Sequence, residues 1–487
     1  MGQNKRMFTP NPHVLVLAGP GLVADLRLLT EVADREFAAL GVGGTVSAAS
    51  DLPAFRTALE SPDVLVVLPG PDPEARSLFA ERPDAVWLDL TKADAPLPAP
   101  AGDPGFTGGA GSSGVMGASG GAGGPGGAAF AGGAGEPGGA AFTVGAGGTG
   151  RPGGPEEPGG PGGAKVTAGT HIHGRGIWGL TWAIRHAVHR LRRPAQRIPY
   201  GDHPDQWVEV RLPYEVAGEA PAEVPPAGVP AASPSYENGG QDPTAAREAG
   251  ERAPAAVREA EEHAPAATRG NGGGDQAPTV VLLHGGFWRS IWGADLMDAL
   301  AIDLAERGFA AWNLEYRRPD LHGWDATTAD VARGVALAAE SARGPLVVIG
   351  HSAGGQLALR AAADDHRITL AVSLAGVLDL AEGDRRHMSS GAIAVALGGS
   401  AAEAPAAYRS SGPLERLPLG VPQLIVQGGG DDLDLVDFGR RYARAAQESG
   451  DQVTYLEMSG DHFDVIDPAS PIWRATAGAV AEHRRPS

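Results

Sequence analysis

Four groups of residues in this chain have the types and the order that acyl-transfer chemistry needs. Gly350-His351-Ser352-Ala353-Gly354 sets a serine among small residues, with the apolar run PLVVI before it and the Ala/Leu-rich run QLALRAAA after it. That is strand–turn–helix context for G-x-S-x-G, in which small neighbours let the turn tighten and the helix pack close. Upstream, His284-Gly285-Gly286-Phe287-Trp288 follows the apolar run 279–283. A glycine pair at a strand end exposes backbone N–H groups toward a developing oxyanion. Downstream, Asp431 stands three residues past Gly428, after PQLIVQG, and His462 lies in a loop after VTYLEM. A serine hydroxyl is a weak nucleophile until a base takes its proton, a task that falls to His462. Asp431 would hold the imidazole in the useful tautomer and stabilise the imidazolium. The N–H of Ala353, with that of Gly286 or Phe287, would receive the oxyanion.

Each piece has a plainer reading. With 73 glycines in the chain, the pentapeptide alone also fits an ordinary strand–helix turn. Asp432 and Asp434 stand beside Asp431 and compete for its role, and His351 reads as the variable position of the turn. Phe287 and Trp288 read as core or as a wall of the substrate pocket, with Trp288 the pocket candidate. The four pieces together, in the order oxyanion loop, Ser, Asp, His, favour the α/β-hydrolase arrangement.

The residues HGGFW, EYR (315–317), GHSAGG and DHFDVIDP resemble the α/β-hydrolases of the kynurenine formamidase and carboxylesterase group. The segment YGDHPDQWVEVRLP (200–213) is similar to the first strands of that group. The resemblance covers about 199–485, minus an insertion. It implies a serine hydrolase cleaving a small carboxylic ester or aryl formamide through an acyl-enzyme. HGGFW is close to the HGGYW of formamidases, which suggests but does not decide formamide over ester.

Such a site needs a parallel sheet to present its loops, and the chain is patterned for two. In 12–98 the runs HVLVLA, DVLVVL and AVWLDL read as buried strands, with helical patterns such as DLRLLTEVADREFAAL between them. Strands alternating with helices imply a parallel α/β sheet. The block 278–485 repeats this with TVVLLH, FAAWNLEY, PLVVIG, TLAVSLAG and PQLIVQG. Residues 99 to about 167 are Gly/Pro/Ala-rich and repeat PGGAAF, while 216 to about 277 are rich in Pro, Ala, Glu and Gly. Both read as disordered insertions. The expected organisation is an N-terminal domain, 1–198, and a hydrolase domain, 199–487.

The N-terminal block resembles the type II 3-dehydroquinate dehydratases, a flavodoxin-like fold, through VLVLAGPGL, SAASDLPAFRTALESPDVLVVLPG and HIHGRGIWGLTWAIRHAVHRL. The catalytic residues that this resemblance implies are missing. The first tyrosine of the chain is Tyr200, Asp89 stands at the position of the family's histidine, and Gly21 at that of its loop asparagine. A degenerate interaction or regulatory domain is expected, with dehydratase-like lyase activity there, or a non-catalytic scaffold, as the alternatives. LAGPGLVAD fits G-x-G-x-x-A, but Pro20 and the lack of an acidic residue about 20 positions on speak against a dinucleotide. His171 and His173 alternate on one strand without a third ligand nearby in sequence, which favours a structural role.

A formal net charge of −19 speaks against nucleic acid as a partner. The lack of cysteine removes disulfides, thiolate catalysis and Cys-ligated metals. No stretch approaches the ~18 apolar residues of a membrane span, and HVLVLA is short for a signal sequence. The expectation is a cytoplasmic protein with no cofactor, no metal and no membrane segment. Its partner is a small-molecule ester or formamide, and a homo-oligomer through the N-terminal domain is left open.

Overall fold

The computed structural model describes residues 12–91, 170–213 and 277–483. The two stretches expected to be disordered lie, but for Ala277, outside these residues. The described chain builds two sheets.

The N-terminal sheet has strands β1 (His13–Ala18), β2 (Gly43–Ala48), β3 (Val64–Leu68), β4 (Val86–Asp89) and β5 (Thr170–His173). All its pairings are parallel, in the order β2-β1-β3-β4-β5, the flavodoxin-like order. The helix Leu26–Leu40 is started by Asp25, whose side chain accepts from Arg27 N and Leu28 N, and stopped by Gly41 at φ 60°. It buries Leu29, Val32, Ala33 and Phe37 on one face of the sheet. The opposite face packs around Phe55, Leu78, Phe79 and Trp87. β2 was not singled out above because it is a largely exposed, Gly-rich edge strand with no apolar run.

The C-terminal sheet has eight strands: β6 (Gln196–Pro199), β7 (Trp207–Arg211), β8 (Thr279–Leu283), β9 (Ala310–Leu314), β10 (Leu346–His351), β11 (Ile368–Leu374), β12 (Gln423–Gly428) and β13 (Val453–Met458). They run in the order β13-β12-β11-β10-β8-β9-β7-β6. Only the β6–β7 and β7–β9 pairings are antiparallel. β6 begins at Gln196, slightly ahead of the expected boundary at 199. Apolar cores form on both faces, one around Leu283, Trp288, Tyr316, Leu357 and Phe438, the other around Leu282, Met297, Ile349, Val372 and Trp473. The helix Trp178–Arg192 covers the N-terminal sheet with Leu180, Ala183, Ile184 and Val188. Its Trp182 packs against the second of these C-terminal cores.

β8 and β10 are neighbours, but the chain leaves them in opposite directions along the sheet, to β9 and to β11. Loops diverge at such a reversal and leave a crevice beyond the strands' carboxyl ends.

Candidate active site

Ser352 follows β10 directly and opens the helix Ala353–Asp364. Its backbone sits at φ 55°, ψ −119°, a conformation that costs on the order of 1–3 kcal/mol for a residue with a side chain. The turn is held by Ser352 N donating to Leu374 O at 2.8 Å and by Gly355 N donating to Ser352 O at 2.9 Å. Both flanking glycines are obligatory. A Cβ on Gly350 would lie 1.9 Å from Gly354 O, and one on Gly354 would lie 2.2 Å from Leu283 O. Ala353 is the first residue of the helix, so its N–H has no intrahelical acceptor and sits at the positive end of the helix dipole.

The loop after β8 lies against this turn: a Cβ on Gly285 would meet Ser352 Cβ at 2.8 Å. Gly286, Phe287 and Trp288 follow with φ of 108°, 48° and 56°. Two consecutive non-glycine residues in the left-handed region are held there by the surrounding packing. Trp288 is 1% exposed and donates its indole N–H to Gln356 Oε1 at 3.2 Å. It is chiefly a core residue, although it also borders a small cavity with Phe287, Arg289, Asp320 and Val395. Among the described residues, the N–H groups of Gly286 and Phe287 have no protein acceptor.

Behind the loop, His284 stacks on Tyr316, with ring centroids 4.3 Å apart, and its Nε2 lies 3.2 Å from Glu315 Oε1. Glu315 also accepts from Ala294 N at 2.9 Å and pairs with Arg318. Burial pushes the Glu315 carboxyl up, but Arg318 and His284 outweigh it and hold the group down at about 2. This buried anion ties the start of the loop after β8 to its far end. The EYR motif was noted above only as part of a resemblance, and this clamp is what its glutamate does.

His462 Nδ1 lies 2.9 Å from Asp431 Oδ2. Asp431 also accepts from Gln427 Nε2 at 2.9 Å and from Asp432 N at 2.7 Å. Burial raises its pKa, and these bonds, His462 first, bring it below the usual carboxylate value. An ionised Asp431 can only accept, so His462 Nδ1 carries the proton of this bond. The neighbouring acids are occupied elsewhere. Asp432 caps the helix Leu433–Glu448 through Asp434 N, and Asp434 pairs with Arg386 at 2.5 Å.

His351, read above as a variable position, has a defined place. It is 2% exposed, and its Nε2–H donates to the carbonyl oxygen of His462 at 3.0 Å. Its ring centroid is 4.7 Å from that of His462. Burial, with His462 beside it, pushes His351 down to about 3, so it stays neutral. The serine turn thereby anchors the His462 loop. No hydrogen bond joins Ser352 Oγ to His462 among the described residues. Such bonds are often long in unliganded sites and tighten with substrate.

Residues 280–466 match the family described as the alpha/beta hydrolase fold. This segment is an α/β-hydrolase domain. Its sheet and the parallel five-stranded N-terminal sheet are the two architectures expected from the sequence. The chain is similar to esterase B of Lactobacillus rhamnosis HN001, at 14% identity over 63% of this chain and 91% of that one, TM-score 0.42. It is also similar to a thermophilic esterase of Thermogutta terrifontis, at 18% identity over 59% and 90%, TM-score 0.39. A third similarity is to carboxyl esterase 2 of the fungus Tuber melanosporum, at 18% identity over 43% and 79%, TM-score 0.37. These likenesses are distant, and the assignment rests on the family match. No curated protein matches the chain.

Outside this candidate site, His171 and His173 lie close together on β5, ring centroids 5.3 Å apart, but His171 Nε2 is taken by Asp89 Oδ2 at 2.8 Å. A cluster that the sequence did not reveal, His203, Asp205 and His322, brings three ligand-type atoms together. His203 Nδ1 already accepts from Asp205 N, and Asp205 pairs with Arg318 at 3.1 Å. No helix among the described residues is long and apolar enough to cross a membrane.

Proposed function

We propose that the hydrolase domain cleaves a small carboxylic ester or an aryl formamide through Ser352, His462 and Asp431. The observation that carries this reading is a serine held in a strained strand–helix turn whose preceding residue, His351, bonds the backbone of a histidine that has its Nδ1 on a buried carboxylate. Ser352 Oγ adds to the substrate carbonyl while His462 Nε2 takes its proton. The tetrahedral oxyanion is received by Ala353 N–H with that of Gly286 or Phe287. His462 returns the proton to the departing alcohol or amine, leaving an acyl-enzyme, or a formyl-enzyme from a formamide. Water then repeats the sequence and releases the acid. Trp288 contributes an edge to the cavity beside this loop.

The test is labelling by a fluorophosphonate, followed by turnover of p-nitrophenyl esters and of N-formylkynurenine. Labelling lost in Ser352→Ala, with turnover of one substrate class, supports the reading. Esterase activity that survives in that variant sinks it.

The N-terminal sheet is read as a degenerate relative of the type II dehydroquinate dehydratases without their activity, and the division near 198 as a domain boundary. Asp89, at the place of the family's histidine, bonds Arg76 through both oxygens, at 2.6 and 2.8 Å, as well as His171. Burial raises its pKa, but His171 and Arg76 bring it down to about 2. A carboxylate so stabilised is a poor proton acceptor.

A further inference from the structure

The segment from the oxyanion loop to Asp298 is held from two sides, and one side belongs to the N-terminal part of the chain. On the hydrolase side, Asp320 accepts from Ser290 N and Oγ, and Glu315 accepts from Ala294 N. On the other side, Arg175, in the loop after β5, bonds Asp295 through both terminal nitrogens and donates Nε to Ile291 O at 2.6 Å. Its guanidinium also lies over the Trp292 ring, 4.5 Å from the centroid. Arg175 is 8% exposed, so this grip is shielded from solvent. One helical turn further on, His186 pairs with Asp298 in a fully buried contact.

Trp292 connects this grip to the chemistry. Its side chain fills the space beside Gly286, where a Cβ would come within 2.3 Å of Trp292 Cβ. On the Trp292 ring, edge-on at 6.5 Å, stands Trp182 from the helix Trp178–Arg192. Trp182 in turn meets Phe463 at 6.1 Å, and Phe463 stands edge-on to the His462 ring at 5.5 Å. A single side chain of the N-terminal part thus wedges between the residue backing the oxyanion loop and the residue following the base.

We propose that Arg175 and Trp182 are positioning residues for the hydrolase. Resting on the function proposed above, they set the distance between the oxyanion donors at Gly286–Phe287 and the imidazole of His462. These are the two parts of the site that come from separate loops and must meet on one tetrahedral intermediate. Catalysis of this kind tolerates little misplacement, since a shift of about 1 Å costs on the order of 10²-fold in rate. The N-terminal sheet has its own closed ion pairs at its strand ends, and its contribution is a rigid wall for the neighbouring site.

The test uses the full chain and p-nitrophenyl acetate. Trp182→Ala and Arg175→Ala should lower kcat about 10- to 100-fold with KM changed less than about threefold. Affinity for a phenylboronic acid, which mimics the tetrahedral intermediate, should fall in parallel with kcat/KM. Trp182→Phe should restore most of the rate, because it keeps an aromatic wedge between Trp292 and Phe463. A purely structural role would lower the melting temperature but leave kcat and boronate affinity near native at temperatures where the variant is folded. That result overturns the proposal. If Trp182→Ala does not fold, Arg175→Lys provides the same test: it keeps the charge and loses the two-pronged contact, and an unchanged kcat again refutes the idea. Ser352→Ala separates the two claims. Activity surviving there defeats the proposed function, whereas a dead Ser352→Ala beside a fully active Trp182→Ala defeats only the positioning role.

Discussion

The chain contains one parallel and one mostly parallel sheet whose strands end in similar residue types, yet they treat those residues in opposite ways. At the C-terminal sheet's reversal, the loop after β8 packs Gly285 against the strained serine turn after β10, and that turn bonds the His462 loop through His351. The N-terminal sheet reverses between β1 and β3, and there the two loops close on each other. A Cβ on Gly19 would lie 2.4 Å from Pro69 O, and one on Gly70 would lie 2.9 Å from Pro20 O. Its acid, Asp89, is neutralised by Arg76 and hydrogen-bonded to His171. Reactivity depends less on the groups a sheet edge carries than on leaving one of them without its stabilising partner, in a place a substrate can reach.

The largest effect expected from this contrast is at the nucleophile. Ser352→Ala should lower kcat by about 10⁴-fold or more, and Asp431→Asn by a comparable factor. Asp432→Asn and Asp434→Asn should stay within a few-fold of native, since those side chains cap a helix and pair with Arg386. Steady-state ester hydrolysis measures all four, and a larger loss at 432 or 434 than at 431 would reassign the acid.

Next come the matched glycines. Gly286→Ala forces a Cβ into Trp292 at a φ of 108° and should cost on the order of 10²-fold in kcat by displacing an oxyanion donor. Gly19→Ala meets an equally hard contact at the other sheet's reversal. It should cost about 1–3 kcal/mol of stability and leave kcat within a few-fold. Paired thermal melts and kinetics check both, and a catalytic loss in Gly19→Ala without destabilisation would show that the N-terminal crevice has a function.

Acid response is the third comparison. His351 in the hydrolase is buried, His173 and His189 in the N-terminal part are half-buried, and all three are neutral. Their pKa values are lowered, by burial first, to about 3, 4 and 4 from the ordinary 6.5. The unfolded chain binds these protons more readily, so the stability they contribute is complete above pH 6.5. It is lost as the pH falls from there toward 3–4. Denaturant midpoints should therefore decline between pH 6.5 and 4 in the native chain, and less steeply in His351→Gln. Equal slopes would remove His351 from the account.

The smallest effect is expected at Asp89. Its folded pKa of about 2 against 3.8 gives a contribution present above pH 4 and lost only as pH falls through 2. Asp89→Asn should lower stability at neutral pH, flatten the acid limb between pH 4 and 2, and leave ester turnover unchanged. A rise in turnover would break the comparison between the two sheets.

Much of this architecture was legible in residue order. The buried strands of both sheets announce themselves as short β-branched runs, and the glycines of 350–354 and 284–286 mark turns that other residues cannot make. Edge strand β2 escaped because half-exposed, glycine-rich residues carry no periodic signal. The sequence favoured Asp431 but kept Asp432 and Asp434 as competitors, because three carboxylates within four positions look alike until it is seen that His462, 31 positions away, bonds Asp431.

By itself, then, the sequence determined the kind of elements, their mostly parallel arrangement and the loops on which serine, acid and histidine would stand. These follow from local burial patterns and backbone sterics, which are written in consecutive residues. The tertiary structure alone decided that His351 anchors the His462 loop, that Glu315 clamps His284 and that Trp182 stands between Trp292 and Phe463. Arg175 and Asp295 are 120 positions apart. Contacts of that range depend on how two independently patterned sheets are packed together, and no local periodicity encodes that packing.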